Sequence, residues 1–327
     1  MDGIRGQSFL VTGGFSLVGS HIAEHLLAAG AARVQLLDNG SIGHAGTVRS
    51  LCADERVHVL HADILRQDAL MEACAGVDGV FHTAFFITTT LARDLATGMD
   101  VNIRGVLNVL EACRWQKVPK IVMSSSIAAY GHPTGEVVTE DAAFQPQGMK
   151  PAGALYGAAK LIGEQLCAFY QERHGVAYAS LRYSTVYGER QHERGMHVIP
   201  MMAAWRAARA GQDTVSLQGD GTDRHDYVYA GDVARANLLA MTAGQGNYTI
   251  ATGVSTPVDE VVRLVLQACG ARTQVRYREV AGGNPNAYQS VPRFDIAKAG
   301  RELGWAPEVR LPDGLARMVA WCDANGA

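Results

Sequence analysis

The chain carries a tyrosine and a lysine four residues apart in Tyr156-Gly-Ala-Ala-Lys160. On a helix that spacing puts phenol and ammonium on one face, a single turn apart. A free phenol titrates near pH ~10, too high for a base at neutral pH, and a neighbouring cation stabilises the phenolate and pulls that value down. Such a pair is suited to taking a proton from a hydroxyl group and returning it. A Y-x-x-x-K run also arises by chance in many helices, so its meaning depends on the rest of the chain.

A second stretch gives it context. In VTGGFSLVGSH, residues 11–21, Gly13, Gly14 and Gly19 lie between a strand-like run and a helical one. Glycine is needed where a chain turns tightly, where backbone approaches a pyrophosphate, and where helix packs on strand. The helix start beyond them, with Leu17 and Val18, offers free N–H groups to phosphate. Ser16 stands where a middle glycine is expected, and its hydroxyl is placed to donate to the pyrophosphate. Taken alone, the run also fits an ordinary strand-to-helix turn.

Asp38 strengthens the dinucleotide reading. It closes the second strand 19 residues after Gly19, where a carboxylate can accept hydrogen bonds from both adenosine ribose hydroxyls. Its charge repels a 2′-phosphate, and Asn39-Gly40-Ser41 offers no arginine to receive one. The expected cofactor is therefore NAD rather than NADP, although a carboxylate there also suits a plain turn. His21, Glu24 and His25 match an H-x-x-E-H zinc pattern in the same helix, but no third ligand announces itself. No metal is expected.

The elements that must position these groups come in a regular order. SFLVTG, ARVQLLD, VHVLHADI, GVFHTA and KIVMSSS read as strands. Between them VGSHIAEHLLAAG, a stretch ending near Cys74, DVNIRGVLNVLEACRWQ and LYGAAKLIGEQLCAFYQERHG read as helices, the last with Gly175 as its C-cap. Repeated β-α-β-α order implies a doubly wound parallel sheet covered on both faces, an α/β fold of Rossmann type. Past about Arg182 the alternation weakens into HVIPMMAAWRAARAG, TPVDEVVRLVLQACG and LPDGLARMVAWCDANG, helices among Gly/Pro-rich loops. The expected organisation is an NAD-binding Rossmann domain over residues 1–181, to which the chain returns at about 226–252. A smaller mixed α/β substrate lobe is expected over 182–225 and 253–327.

Composition narrows the class further. With 48% hydrophobic residues in 327, a sizeable core can be buried. A net charge of −3 with no basic run argues against a nucleic-acid or membrane-surface partner, and for a small molecule. The six cysteines, Cys52, Cys74, Cys113, Cys167, Cys269 and Cys322, form no C-x-x-C pair and read mostly as buried free thiols of a reducing compartment. The start MDGIRGQSFLVTGG runs straight into a strand, leaving no room for a signal-peptide core, and no apolar run reaches membrane-spanning length. A cytoplasmic protein is expected.

Across nearly its whole length the chain resembles the extended short-chain dehydrogenase/reductase family, the NAD-dependent epimerase/dehydratases. The likeness rests on VTGG..LVGSH, LLDN, HADI, VFHTA, DVNIRGVLNVLEAC, IVMSSSIAAYG, LYGAAK, LRYSTVYG, QGDG, DYVYAGDVA and LGWAP together. The resemblance implies Tyr156 as acid/base on the substrate hydroxyl, with Lys160 holding the nicotinamide ribose and lowering the tyrosine pKa. It implies Ser126 on the reacting oxygen and Asn102 in the helix behind the site, helping to place the lysine. Asp63 would meet the adenine amino group with Ile64 beside the ring. Thr83, Ala84, Ser124 and Tyr183 would complete the cofactor contacts, and Phe85 would face the substrate. Asn102 also fits a surface helix position, and Asp63 a strand-end cap.

The three residues after Ser126 narrow the reaction. Dehydratases and decarboxylating members place acidic residues there, because elimination needs a second proton carrier. Here the residues are Ile127, Ala128 and Ala129, none able to move a proton. Epimerisation or simple dehydrogenation remains. A sugar-nucleotide 4-epimerase is the leading expectation, and an NAD-dependent dehydrogenase of a small non-nucleotide polyhydroxylated or alcohol substrate is the alternative. An NAD-binding regulator on the same fold would have no need of a phenolate base.

Two substrate-lobe positions depart from the family pattern. Thr185 replaces the asparagine of the R-Y-F-N-x-Y-G run, and His225, with Arg224 before it, stands where an arginine usually contacts the diphosphate. A neutral imidazole is the weaker diphosphate partner. Arg278 and Arg293 are further candidates for phosphate contact, though Arg278 also fits a strand-surface charge. Helix faces around Val106, Val109 and Leu110, and around Leu161 and Leu166, could pair across a two-fold axis, and the resemblance implies a homodimer. Burial within one subunit explains the same pattern.

Overall fold

A computed structural model describes residues 3–192, 195, 197–278 and 292–326. The first half of the chain runs β1 (Ser8–Thr12), α1 (Leu17–Ala28), β2 (Arg33–Asp38), β3 (Val57–His61), α2 (Gln67–Ala73), β4 (Gly79–His82), α3 (Thr88–Arg93), α4 (Leu95–Met99) and α5 (Val106–Trp115). It continues through β5 (Lys120–Ser126), β6 (Val137–Val138), α6 (Pro151–His174), β7 (Ala177–Tyr183) and β8 (Thr185–Tyr187). The remainder is α7 (Ile199–Arg209), β9 (Thr214–Gln218), β10 (Arg224–Tyr229), α8 (Ala230–Ala243), β11 (Gly246–Ile250) and β12 (Ser255–Pro257). After these come α9 (Val258–Ala268), β13 (Gln274–Arg278), β14 (Arg293–Phe294), α10 (Ala297–Leu303) and α11 (Leu311–Asn325).

Seven strands form one parallel sheet in the order β11-β7-β5-β4-β1-β2-β3. Strands such as FLV in β1 and VF in β4 are apolar on both faces because helices cover both. One core packs α1, α8 and α10 on one face, with Phe9, Val11, Ile22, Leu26 and Trp305. The other packs α2, α5 and α6, with Leu10, Val80, Val109, Leu110 and Ile121. Each such side chain contributes about 1.5–3 kcal/mol on burial. Strand order reverses between β1 and β4, so the chain leaves the sheet in opposite directions there and a crevice opens beyond the carboxyl ends. Thr12 is paired with both Leu37 and His82, which brings the ends of β1, β2 and β4 to one level.

The expected doubly wound sheet is therefore present. Three small sheets, β12-β10-β8, β13-β9 and β14-β6, sit outside it. A further apolar cluster lies among α7, α9, α11, β9 and β10, built on Met201, Trp205, Val262, Leu315 and Met318. Gly175 ends α6 in the left-handed conformation at φ +74°, as its position after a long helical run predicts.

One expectation changes, one open alternative is resolved, and the cysteine reading gains detail. DVNIRGVLNVLEACRWQ is not uniformly α-helical, because residues Asp100–Gly105 form a π-helical turn before α5 begins. Val106, Val109 and Leu110 face the subunit's own core rather than a two-fold partner. The exposed apolar residues of these helices are Leu107 and Trp115 on α5, and Ile162 and Phe169 on α6. All six cysteines are free, but Cys52 is exposed and Cys269 is half-buried. Among the described residues no helix is long and apolar enough to cross a membrane.

Candidate active site

The glycine turn is closed so tightly that side chains have no room. Gly13 adopts φ +69°, and a Cβ there would lie 2.8 Å from the Ala84 nitrogen and 2.9 Å from Thr83 Oγ1. At Gly19 a Cβ would come within 2.3 Å of the Gly13 carbonyl oxygen, and at Gly14 within 2.7 Å of Leu36 Cβ. Backbone at Gly13 thus faces the crevice with nothing projecting from it, the surface a pyrophosphate requires.

Ser16 has a structural task in this turn. It is the N-cap of α1, its Oγ accepting from the Gly19 N–H at 3.0 Å and lying 3.3 Å from Thr83 Oγ1. Accepting leaves its own proton to donate. Exchange of serine for glycine at an N-cap costs only a few tenths of a kcal/mol. Ser16→Gly should accordingly change the NAD dissociation constant by less than about threefold by calorimetry. A tenfold loss would mean the hydroxyl is the main phosphate ligand.

Asp38 lies at the end of β2, its carboxylate accepting from the Phe15 N–H at 2.9 Å and the Gly40 N–H at 2.8 Å. Each oxygen keeps acceptor capacity for a ribose hydroxyl. Asp63 accepts from the Asn39 side-chain amide and the Leu65 N–H, both at 2.8 Å. Together with Ile64, Thr83, Ala84 and Phe85 these residues line one crevice above the switch point. Leu17 and Val18 fall in the first turn of α1, where N–H groups have no partner within the helix. A glycine cradle, a helix start and a carboxylate at the second strand end fit an extended dinucleotide.

The residues expected to carry the chemistry, Ser126, Tyr156 and Lys160, meet at the carboxyl end of β5. Helix α6 approaches this strand and the turn after it through two glycines. A Cβ at Gly157 would meet the Ala128 carbonyl oxygen at 2.3 Å, and one at Gly163 would meet Met123 Sδ at 3.0 Å. Gly157 follows Tyr156 directly, so its missing side chain lets the phenol reach Ser126, with which it hydrogen-bonds. Burial pushes the phenol up to about 12, and the Ser126 hydrogen bond works against that rise. Ser126 Oγ also accepts from the Ala128 N–H at 3.1 Å, capping the turn Ile127–Tyr130.

Lys160 is almost fully buried, and its Nζ donates to the Ser124 carbonyl at 2.6 Å. The same ammonium sits 3.1 Å from the centroid of the Phe85 ring and 5.5 Å from that of Tyr156. Burial drives its pKa well below the ordinary lysine value, and the nearby Glu164 opposes that shift. Phe85 is thus held between Lys160 and His82, whose ring centroid is 4.9 Å away.

Asn102 lies in the π-helical turn, wholly buried, but its amide does not reach the lysine. Its Oδ1 accepts from the Phe86 N–H at 2.7 Å and its Nδ2 donates to the Phe86 carbonyl at 2.9 Å. It clamps the loop that carries Phe85, and so acts at one remove. Tyr183 is similarly engaged, donating to Asn237 at 3.0 Å and lying 3.1 Å from Ser124 Oγ.

Of the residues expected to contact substrate, Thr185 opens β8 and is paired with Tyr227. His225 is buried on β10, 3.6 Å from Asp223, with its ring centroid 4.0 Å from that of His197. Burial and the facing His225 drive His197 down to about 3. Arg224 is committed to Ser255, donating to its Oγ at 3.2 Å and to its carbonyl. Arg278 and Arg293 end up exposed. The H-x-x-E-H residues line one pocket, each with a partner of its own. His21 and His25 bond the carbonyls of Leu17 and His21, and Glu24 pairs with Arg190.

Sequence reasoning missed Gly157, the Phe85–Lys160 contact and Glu164. Only the last left a usable signal, a carboxylate one turn beyond the lysine on the same helical face.

Residues 9–251 match the NAD dependent epimerase/dehydratase family. A putative UDP-glucose 4-epimerase of Methanocaldococcus jannaschii is 33% identical over 97% of this chain and 98% of its own length. A UDP-glucose 4-epimerase of Thermus thermophilus, solved with NAD, is 30% identical with a TM-score of 0.81, covering 96% of this chain and 98% of that one. A double mutant of a Streptomyces venezuelae dTDP-glucose 4,6-dehydratase, solved with NAD, is 27% identical with a TM-score of 0.84 over 97% of each chain.

Proposed function

The chain belongs to the NAD-dependent epimerase/dehydratase family of extended short-chain dehydrogenase/reductases, and on that premise we propose that it is a 4-epimerase of a sugar nucleotide. The observation that carries this reading is the turn after Ser126. Ile127, Ala128 and Ala129 fill the place beside the Ser126–Tyr156 pair, so the proton chemistry rests on a single phenol. One acid/base suffices to oxidise a hydroxyl and reduce it again, whereas elimination of water calls for a second.

In this reading residues 1–181 and 226–252 hold the cofactor, and residues 182–225 and 253–327 hold the substrate. Tyr156 would take the proton of the sugar 4-hydroxyl and later return it to the 4-keto oxygen, once the keto sugar has turned over to receive the hydride on the other face of C4. Ser126 holds the reacting oxygen, and Lys160 steadies the phenolate and the nicotinamide ribose. NAD⁺, when bound, supplies the hydride acceptor and then the donor. Gly13, Gly14, Ser16, Leu17, Val18 and Gly19 would face the pyrophosphate, Asp38 and Asn39 the adenosine ribose, and Asp63 and Ile64 the adenine. Thr83, Ala84, Ser124 and Tyr183 would close the nicotinamide side, with Phe85, Thr185, His225 and Arg278 toward the substrate. Leu107 and Trp115 on α5 and Ile162 and Phe169 on α6 are exposed apolar side chains that a homodimer would cover, which sedimentation would detect.

The test is turnover of UDP-galactose and UDP-glucose with NADH absorbance recorded throughout. Epimerised product without net NADH is the expected result. His225 beside Asp223, and Arg224 held by Ser255, favour the second reading, a dehydrogenase of a substrate without a diphosphate. Steady NADH accumulation with a polyol or simple alcohol would establish that one instead.

The pH dependence has a definite sign. The working form of Tyr156 is the phenolate, so kcat/KM should rise with pH through its apparent pKa. The Ser126 hydrogen bond favours the charged form. Ser126→Ala should therefore move the acid limb upward by about one pH unit. An unmoved limb would remove Ser126 from the proton step.

A further inference from the structure

Glu164 is buried one helical turn beyond Lys160, with all four lone-pair directions of its carboxylate taken up. Oε1 accepts from Ser125 Oγ at 2.6 Å and Arg182 Nε at 2.9 Å. Oε2 accepts from Arg182 Nη2 at 2.6 Å and Asn247 Nδ2 at 3.0 Å. The donors come from β5, β7 and β11, three adjacent strands of the large sheet. One carboxylate on α6 therefore grips the sheet across three strands, immediately beneath the reactive pair. Arg182 is fixed in turn, donating to the Glu140 carbonyl at 2.9 Å with its guanidinium 4.7 Å from the Tyr130 ring centroid.

Ser125 is flanked by the two serines of the site. Ser124 gives its carbonyl to Lys160, and Ser126 gives its hydroxyl to Tyr156. The bond from Ser125 to Glu164 thus fixes the strand end between those contacts relative to the helix that supplies their partners. Charge adds a second effect. The groups facing Lys160 are Tyr156 and Glu164 on α6, neutral His82 on β4, and the Phe85 ring. Around Glu164 lie Lys160, Arg182, Cys167 and Tyr178. Glu164 is ion-paired with Arg182 at 2.6 Å, and its charge, one helical turn from Lys160, also opposes the effect of burial on that lysine.

We propose that Glu164 is a positioning residue of the reaction, which sets the register of the serine strand against the Tyr156/Lys160 helix and places a buried negative charge one helical turn from Lys160. The inference rests on the proposed roles of Tyr156 and Lys160 and extends them to a residue that touches neither substrate nor cofactor.

The chain has five lysines, Lys117, Lys120, Lys150, Lys160 and Lys298, so each ε-carbon can be monitored separately by NMR after ¹³C labelling. The Lys160 signal is assigned by its loss in Lys160→Arg. In full-length Glu164→Gln, its titration midpoint should fall by about one pH unit or more, as loss of a nearby opposite charge dictates. An unchanged midpoint would overturn the electrostatic role. Glu164→Asp keeps the charge but shortens the reach to Ser125. Its Lys160 midpoint should stay in place while kcat falls about tenfold with unchanged NAD affinity, a shift within the reach of misplaced catalytic groups. If the glutamine variant fails to fold, the aspartate variant decides alone. Full kcat there would overturn the register role, and a lowered midpoint would overturn the charge role. The titration needs no substrate, so failure to turn over sugar nucleotides would count against the proposed function and leave this inference standing.

Discussion

Tyr156→Phe should lower kcat by about 10²- to 10⁴-fold, the range contributed by one positioned acid/base. The exchange keeps the ring that faces Lys160 at 5.5 Å and removes only the hydroxyl that bonds Ser126. Helix α6 still docks on β5 through Gly157 and Gly163, so the fold should hold. The cofactor crevice is lined by other residues, and NAD affinity should change little. A loss in kcat without a matching loss in NAD binding is what separates a proton carrier from a wall of the pocket. Steady-state kinetics and a binding titration on the same preparation would show it. Full turnover by the phenylalanine variant would remove the shared basis of both the epimerase and the dehydrogenase readings.

Gly13→Val should weaken NAD binding by about 100-fold or more, equivalent to some ~3 kcal/mol. Two penalties combine at this position. The backbone at φ +69° is one that L-residues enter at a cost of ~1–2 kcal/mol, and branching at Cβ makes it worse. The new Cβ would also press on the Ala84 nitrogen and Thr83 Oγ1, forcing the turn away from β4. A matched control exists in Gly76, which has the same φ of +69° and nothing within 4 Å of its Cβ position. Gly76→Val carries the backbone penalty without closing the crevice, so it should lower Tm yet bind NAD normally. Equal loss in both variants would trace the effect to general destabilisation. Strong binding by Gly13→Val would mean the crevice is not where the pyrophosphate lies.

Much of this site is legible in the amino-acid sequence, and the legible parts share a property. Gly13, Asp38 and the Tyr156–Lys160 pair are each constrained by local backbone geometry, by a strand end or by one helical turn. Such constraints leave a trace in residue type and spacing. Asn102 illustrates the opposite case. Its partner is the backbone of Phe86 on another segment, and a backbone partner has no residue type to announce it. The apolar stripe at Val106, Val109 and Leu110 is readable as a stripe, but periodicity does not say whether a sheet or a second subunit covers it. Nor do residue types show that Arg224 is held by Ser255, which lies on a different strand of a small sheet.

The π-helical turn at Asp100–Gly105 bears on how this protein can change over time. A π turn stores one residue more than the regular helix around it. Deleting one residue of that stretch would let the segment wind as continuous α-helix, with the turns on either side kept in register and the bulge that carries Asn102 lost. Asn102 would swing away from Phe86, the loop carrying Phe85 would lose its clamp, and Lys160 its aromatic cover. Substitutions on the exposed side of α5 are tolerable, but a single-codon deletion upstream of it is not. This helix can drift in composition while its length stays frozen.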